Sequence, residues 1–275
     1  MAISSYAAGL IAGIGINTLA GLGAYVMWSS GQLSLGNAAF LALGAYASAL
    51  CTVDFGLPLP LALVVAVIVT GAVGIAVGFP ALRVRGIYLA IATLAFGEIV
   101  RTFFLNFPPT GGAQGFHGMK PTTPLVIWSC VGIVLAGLLM LERSRLWLEY
   151  RAVSDDETAA SLVGLDTTLV KVGAFGLGAA ITALAGALFA HYLVYIEPAD
   201  FSFERSIELV LYVILGGSTT VFGPFLGAAF LTLLPEILRF VADWRLAVYG
   251  ALLLVILLVR REGLLSRTMF RRRVL

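Results

Sequence analysis

The chain has 275 residues, 60% of them hydrophobic and 12% charged, with a formal net charge of +2. This composition excludes an ordinary water-soluble domain, and so weak a net charge gives no footprint for nucleic acid. Apolar runs of about 20 residues recur, the length that crosses a hydrocarbon core about 30 Å thick. The composition therefore predicts an all-α, polytopic transmembrane helical bundle. Its 31 glycines fit that class, because small residues let helices approach where lipid supplies no hydrophobic drive. Gly9 with Gly13, and Gly74 with Gly78, stand four apart as helix-packing pairs. The two cysteines, Cys51 and Cys130, and the two histidines, His117 and His191, show no ligand spacing. A metal site is not expected; a disulfide between the two cysteines is open but has no support in the spacing. The first apolar stretch lacks a basic leader and runs too long for a cleavable signal.

In chain order, the apolar runs fall at 3–28, 31–53, 60–79, 87–106, 124–141, 172–195, 207–217, 224–240 and 245–260. That gives about eight or nine spans. Residues 31–53 contain Gln32, Ser34, Asn37 and several glycines, the mark of a broken or re-entrant helix. The run 207–217 is short and stops at a Gly-Gly-Ser-Thr-Thr cluster, so one or two interrupted helices are expected. A transmembrane domain would occupy 1–262, followed by a basic cytoplasmic tail at 263–275.

Arg83, Arg85, Arg143, Arg145, Arg151, Lys171, Arg260, Arg261, Arg267 and Arg271 to Arg273 make up twelve of the 17 basic residues. They fall on one side if 87–106 and 124–141 form an out-and-back pair, and the basic side is cytoplasmic. No Lys or Arg precedes Arg83, so the N-terminal end is weakly constrained; nine crossings would place it outside.

Between two spans lies a charged, helix-favouring insert, Glu142 to Lys171. Such a segment is too costly to leave in lipid, so it belongs in water or on a partner. Within it Ser154 is a candidate N-cap, followed by Asp155, Asp156 and Glu157 at the helix start. Ala159, Ala160 and Val163 would share a face, and Gly164 would close the helix. A short helix with a small-residue face suits docking into another protein's groove. The plainer alternative, a connector lying on the membrane, would want Lys or Arg on its polar face, and this segment is acidic.

The pattern Glu157, Ala159, Ala160, Gly164 resembles the coupling loop of bacterial ABC importer permeases. Residues 31–49 (GQLSLGNAAFLALGAYASA), 82–101 (LRVRGIYLAIATLAFGEIVR) and 110–116 (TGGAQGF) resemble the permease subunits of branched-chain amino acid transporters. So do 206–217 (SIELVLYVILGG) and 221–230 (VFGPFLGAAF). The match is nearest to the second of that system's two dissimilar permeases, the LivM type. The resemblance implies a coupling helix at about 151–166 and a bacterial cytoplasmic (inner) membrane location. Implied partners are a second permease subunit, two cytoplasmic ATPase subunits and a periplasmic or extracellular solute-binding protein. It also implies that this chain binds no cofactor, ATP being hydrolysed by the ATPase partners. The sequence carries no G-x-x-x-x-G-K-[ST] of its own. Urea and short-chain amide permeases share these motifs.

Candidate pathway residues are polar groups inside the spans. Glu98 and Arg101, three apart on one helical face, can pair; they would line the route or form a buried structural ion pair. Gln32, Ser34 and Asn37 would line a channel through the interrupted helix or hydrogen-bond between helices. Glu197, Asp200 and Glu204 read as an acidic outer segment, with His191, Tyr192 and Tyr195 at the headgroup level. The basic tail would meet anionic membrane lipid. An ion-coupled secondary transporter is the alternative of another class. It would call for further ionisable residues inside the spans and symmetry between halves.

Overall fold

The computed structural model describes residues 5–81, 84, 86–237 and 250. Among the described residues, five helices are long and apolar enough to cross a membrane. They are α1 (Ser5–Ser29), α3 (Leu59–Ala81), α4 (Ile87–Leu105), α5 (Pro124–Glu142) and α8 (Thr167–Leu193). Between them lie α2 (Asn37–Val53), α6 (Arg145–Asp155), α7 (Glu157–Leu162), α9 (Phe203–Gly216) and α10 (Phe222–Ile237). The all-α, polytopic class stands. The count of eight or nine spans is not confirmed: among the described residues five helices are long enough to cross, and α2 and α9 are shorter. The expected span 245–260, the basic tail, Arg83 and Arg85 lie outside the described residues.

Among the described residues the strand pairing is a short antiparallel ribbon, β1 (Phe116–His117) with β2 (Tyr195–Ile196). It ties the α4–α5 connection to the segment after α8, so these mark one end of the molecule, the far end. The α5–α8 insert marks the other, the insert end. At the far end Pro108–Thr110 and Gly112–Gln114 form 3-10 turns, as the Pro-Pro and glycine cluster of that loop demands.

Helix α8 is the axis of the bundle, packed against α1, α2 and α3. Its sequence is rich in Ala and Gly, and that lets backbones touch. A Cβ added at Gly186 would overlap the Leu41 carbonyl, and one at Gly44 would overlap Ala183. Gly74 of α3 meets Ala179 at 2.5 Å from a notional Cβ, whereas Gly9 and Gly13 have looser neighbours. The packing role expected of the four-apart glycines therefore holds most firmly on α3. With no hydrophobic drive between helices inside lipid, such close contacts are what hold the bundle together. Helices α3 and α5 lie outside and turn apolar side chains outward, among them Ile68, Ile75, Leu125 and Ile133.

Candidate functional site

At the insert end the chain forms two helices where the sequence suggested one. Trp147, Tyr150 and Val153, spaced by three, are the buried stripe of α6. Trp147 and Tyr150 join Leu22, Tyr25, Leu138 and Val213 in a single apolar cluster. The Tyr25 ring lies 5.5 Å from Trp147, and its hydroxyl donates to Glu142 Oε1 at 2.8 Å. Arg151 Nη2 donates to the Thr219 carbonyl at 3.4 Å, in the turn between α9 and α10. Burial pushes the Tyr150 phenol above its ordinary value, with Glu149 adding to the effect, so it stays neutral. Because this stripe continues α6 to Asp155, Ser154 lies inside a helix and is not the N-cap expected of it.

The cap of α7 is Asp156, which accepts from the N–H groups of Thr158 (2.8 Å) and Ala159 (3.0 Å). Gly164 ends the turn as expected, at φ +89°, a conformation that suits glycine alone among common residues. Around six residues of helix, the expected small-residue face divides. Ala160 is buried toward the bundle, while Ala159, Leu162 and Val163 face outward, the last two 83% and 78% exposed. Glu157 Oε2 meets Lys171 Nζ at 2.8 Å, which fastens α7 to the first turns of α8.

Lys171 also holds the chain from its other side. Its carbonyl accepts from Gln32 Nε2 at 2.9 Å, and Gln32 Nε2 also reaches Ser30 Oγ at 2.7 Å. Residues 30–36 are non-helical and climb from the insert end to the start of α2, the interruption expected there. Ser34 Oγ accepts from the Gly36 N–H at 3.3 Å, and Asn37 Nδ2 donates to the Ser34 carbonyl at 3.0 Å. Gln32, Ser34 and Asn37 are all buried. Their hydrogen bonds knit the break to itself and to α8.

Deeper in the bundle, Glu98 and Arg101 pair as their spacing predicts, with Arg101 Nε 2.9 Å from Glu98 Oε2. More than a third of each side chain is exposed in this chain. The segment after α8 departs most from expectation. Glu197 and Asp200 cap a 3-10 turn at the far end through a reciprocal box. Phe201 then dips between Tyr46 and Phe189, with ring centroids 5.9 and 6.1 Å away. Glu204 consequently lies in the first turn of α9, exposed, beyond the 3-10 turn that Glu197 and Asp200 cap. Arg205 Nη2 donates to Asn17 Oδ1 at 2.6 Å, and Asn17 is the middle residue of α1. Arg205 also pairs with Glu208, while Asn17 Nδ2 donates to Thr232 Oγ1 of α10 at 2.9 Å. His191 is fully buried, its Nδ1 3.1 Å from the Lys120 carbonyl, so its ring packs against protein. The sequence offered one signal for this arrangement, the amphipathic spacing of Glu204, Ile207, Glu208 and Leu211.

A family model for the permease component of branched-chain amino acid transport systems matches residues 6–257. The chain belongs to that family. The permease is 33% identical over 295 residues to the high-affinity branched-chain amino acid transport system permease protein LivM of Salmonella typhimurium. That match spans 94% of this chain and 68% of the relative. LivM of Escherichia coli K12 is 32% identical over the same shares. LivH of Salmonella typhimurium, the other permease protein of that transport system, is 29% identical over 160 residues, 57% of this chain and 52% of LivH. The autoinducer 2 import system permease protein LsrC of Klebsiella pneumoniae is 29% identical over 57% of this chain and 46% of its own length. No solved structure matches. The family is one of transport subunits, not enzymes.

Proposed function

We propose that this permease is one of two membrane subunits of an ATP-driven importer for branched-chain or related amino acids. A solute-binding protein delivers the solute at the far end, and two ATPase subunits dock at the insert end. In this reading the insert end is cytoplasmic, the membrane is the bacterial inner membrane, and ATP binds only to the partners. The observation that carries the reading is α7. It is a helix of one and a half turns, capped at both ends, that stands outside the apolar bundle with Leu162 and Val163 exposed. Short, projecting and with Leu162 and Val163 exposed at its end, it fits a groove on another protein. Fastened to α8 through Glu157 and Lys171, it passes a push on to the bundle axis.

The amino-acid assignment rests on the extent of the LivM match, which spans nearly the whole chain, whereas the LsrC match stops at 57%. ATP closure of the docked pair would move α7, and the rigid α6 stripe would carry that motion to α1 and to the α9–α10 turn. Replacing Gly164 with Val forces a β-branched residue into a left-handed conformation and distorts α7. The assembled complex carrying Gly164→Val is expected to bind ATP yet lose most of its uptake, measured as radiolabelled leucine entering proteoliposomes. Uptake at the unaltered rate would remove α7 from the coupling route.

A further inference from the structure

The surface of this chain at membrane depth is divided. Outward residues of α3 and α5 are apolar, with Leu61, Ile68, Ile133 and Met140 among them, and such faces suit lipid. The neighbouring faces of α4 and α9 are mixed, with Ile91, Ile99 and Phe103 of α4 also exposed. Glu98 and Arg101 lie just past the middle of α4, partly exposed. On α9, Glu204 and Ile207 are exposed, and Glu208 keeps a third of its side chain open. The opposite side of α9 (Leu209, Val210, Tyr212, Val213) is buried. Depth is fixed by the bond from Arg205 to the midpoint of α1 and by the Ala38 N–H donating to Ser206 Oγ at 3.0 Å. Charged groups at that depth are tolerated against water or protein, not against hydrocarbon.

Two broken helices, α2 and α9, begin at this place. Leu35, Ala38, Gly97, Glu98, Ser202 and Ser206 line a narrow crevice between them. Three of the four charges on the face are committed to neighbours: Glu98 to Arg101, and Glu208 to Arg205 behind it. Glu204 is the exception; among the described residues it has neither an ion pair nor a hydrogen-bonded side-chain partner. We infer that the joint α4–α9 face is a wall of the solute route, and that Glu204 is the carboxylate on it that meets the ammonium end of the passing solute. The inference rests on the amino-acid reading above. Charge complementarity selects the occupant: an unpaired carboxylate beside a pathway attracts a cation, and a zwitterionic amino acid presents one. A transient contact to an ammonium, unshielded by a second paired charge, gives selectivity without trapping the solute.

The test uses the complete transporter in proteoliposomes, with the native Cys51 and Cys130 replaced by Ala. Ile207→Cys, beside Glu204, is compared with Ile133→Cys on α5 for reaction with a charged, water-soluble thiol reagent. Ile207→Cys is expected to react at least about tenfold faster and to be slowed by saturating leucine with binding protein. Equal rates would overturn the wall assignment. In the cysteine-containing complex, Glu204→Gln is expected to lower leucine moved per ATP hydrolysed by about tenfold, the scale of one charge-assisted hydrogen bond. Glu204→Asp is expected to restore most of that loss. Unchanged transport by Glu204→Gln, or equal failure of the Asp variant, would overturn the solute-contact role. If the unaltered complex moves no amino acid at all, the amino-acid reading fails instead, and the labelling comparison still judges the wall.

Discussion

At the scale of single residues, the molecule depends on small atoms in tight places and on short side chains at helix ends. Gly44 and Gly186 sit where α2 and α8 touch backbone to backbone. A side chain at either position has no void to enter, and overpacking of this kind costs roughly 1–3 kcal/mol or more. Gly186→Leu is expected to lower the thermal midpoint of the purified complex sharply and to cut its yield, as followed by fluorescence-detected chromatography. Asp156→Ala acts elsewhere. It removes two charge-assisted bonds from α7, a loss of about 1 kcal/mol of helix stability. Because α7 stands outside the bundle, the thermal midpoint should hardly move, while solute-stimulated ATP hydrolysis falls. The sequence revealed Gly164 as a terminator because only backbone geometry was at stake there. It misled at Ser154, because the run Ser-Asp-Asp-Glu offers several caps. The choice among them was made by Trp147, Tyr150 and Val153, whose burial extends α6 through Ser154.

At the scale of elements, the interruption before α2 was legible, since Gln32, Ser34 and Asn37 are conspicuous within an apolar run. Their role was not, because hydrogen-bond partners such as the Lys171 carbonyl lie far away in sequence. The start of α9 was also hidden. Charges in an apolar sequence ordinarily mark the end of a span, so Glu204 and Glu208 read as a boundary. The chain re-enters the bundle through Phe201, and no local pattern announces that fold-back. Lys171 joins three elements, holding α7 by its ammonium and the 30–36 segment by its carbonyl. A partly exposed ion pair of this type is worth at most about 1 kcal/mol to stability. Its breakage should therefore show in coupling before it shows in folding. Lys171→Glu is expected to reduce transport per ATP, and adding Glu157→Lys to recover part of it by restoring the pair in reverse. No recovery in the double variant, measured by the same uptake and hydrolysis assays, would mean that the pair is not the link.

At the scale of the whole molecule, the arrangement separates three surfaces by chemistry. Apolar helices α3 and α5 face outward, a capped helix projects from one end, and a partly charged face runs along α4 and α9. The assembly proposed above would cover the last two with unlike partners: a motor at α7 and a second permease across the route. The direct measurement is leucine accumulation in proteoliposomes, with this permease reconstituted alone and then with the second permease, the ATPase subunits, the binding protein and ATP. Accumulation is expected only in the complete, ATP-supplied system, and to vanish with a non-hydrolysable nucleotide. Leucine entry at the same rate through the single chain, with neither ATPase nor nucleotide present, would contradict the account.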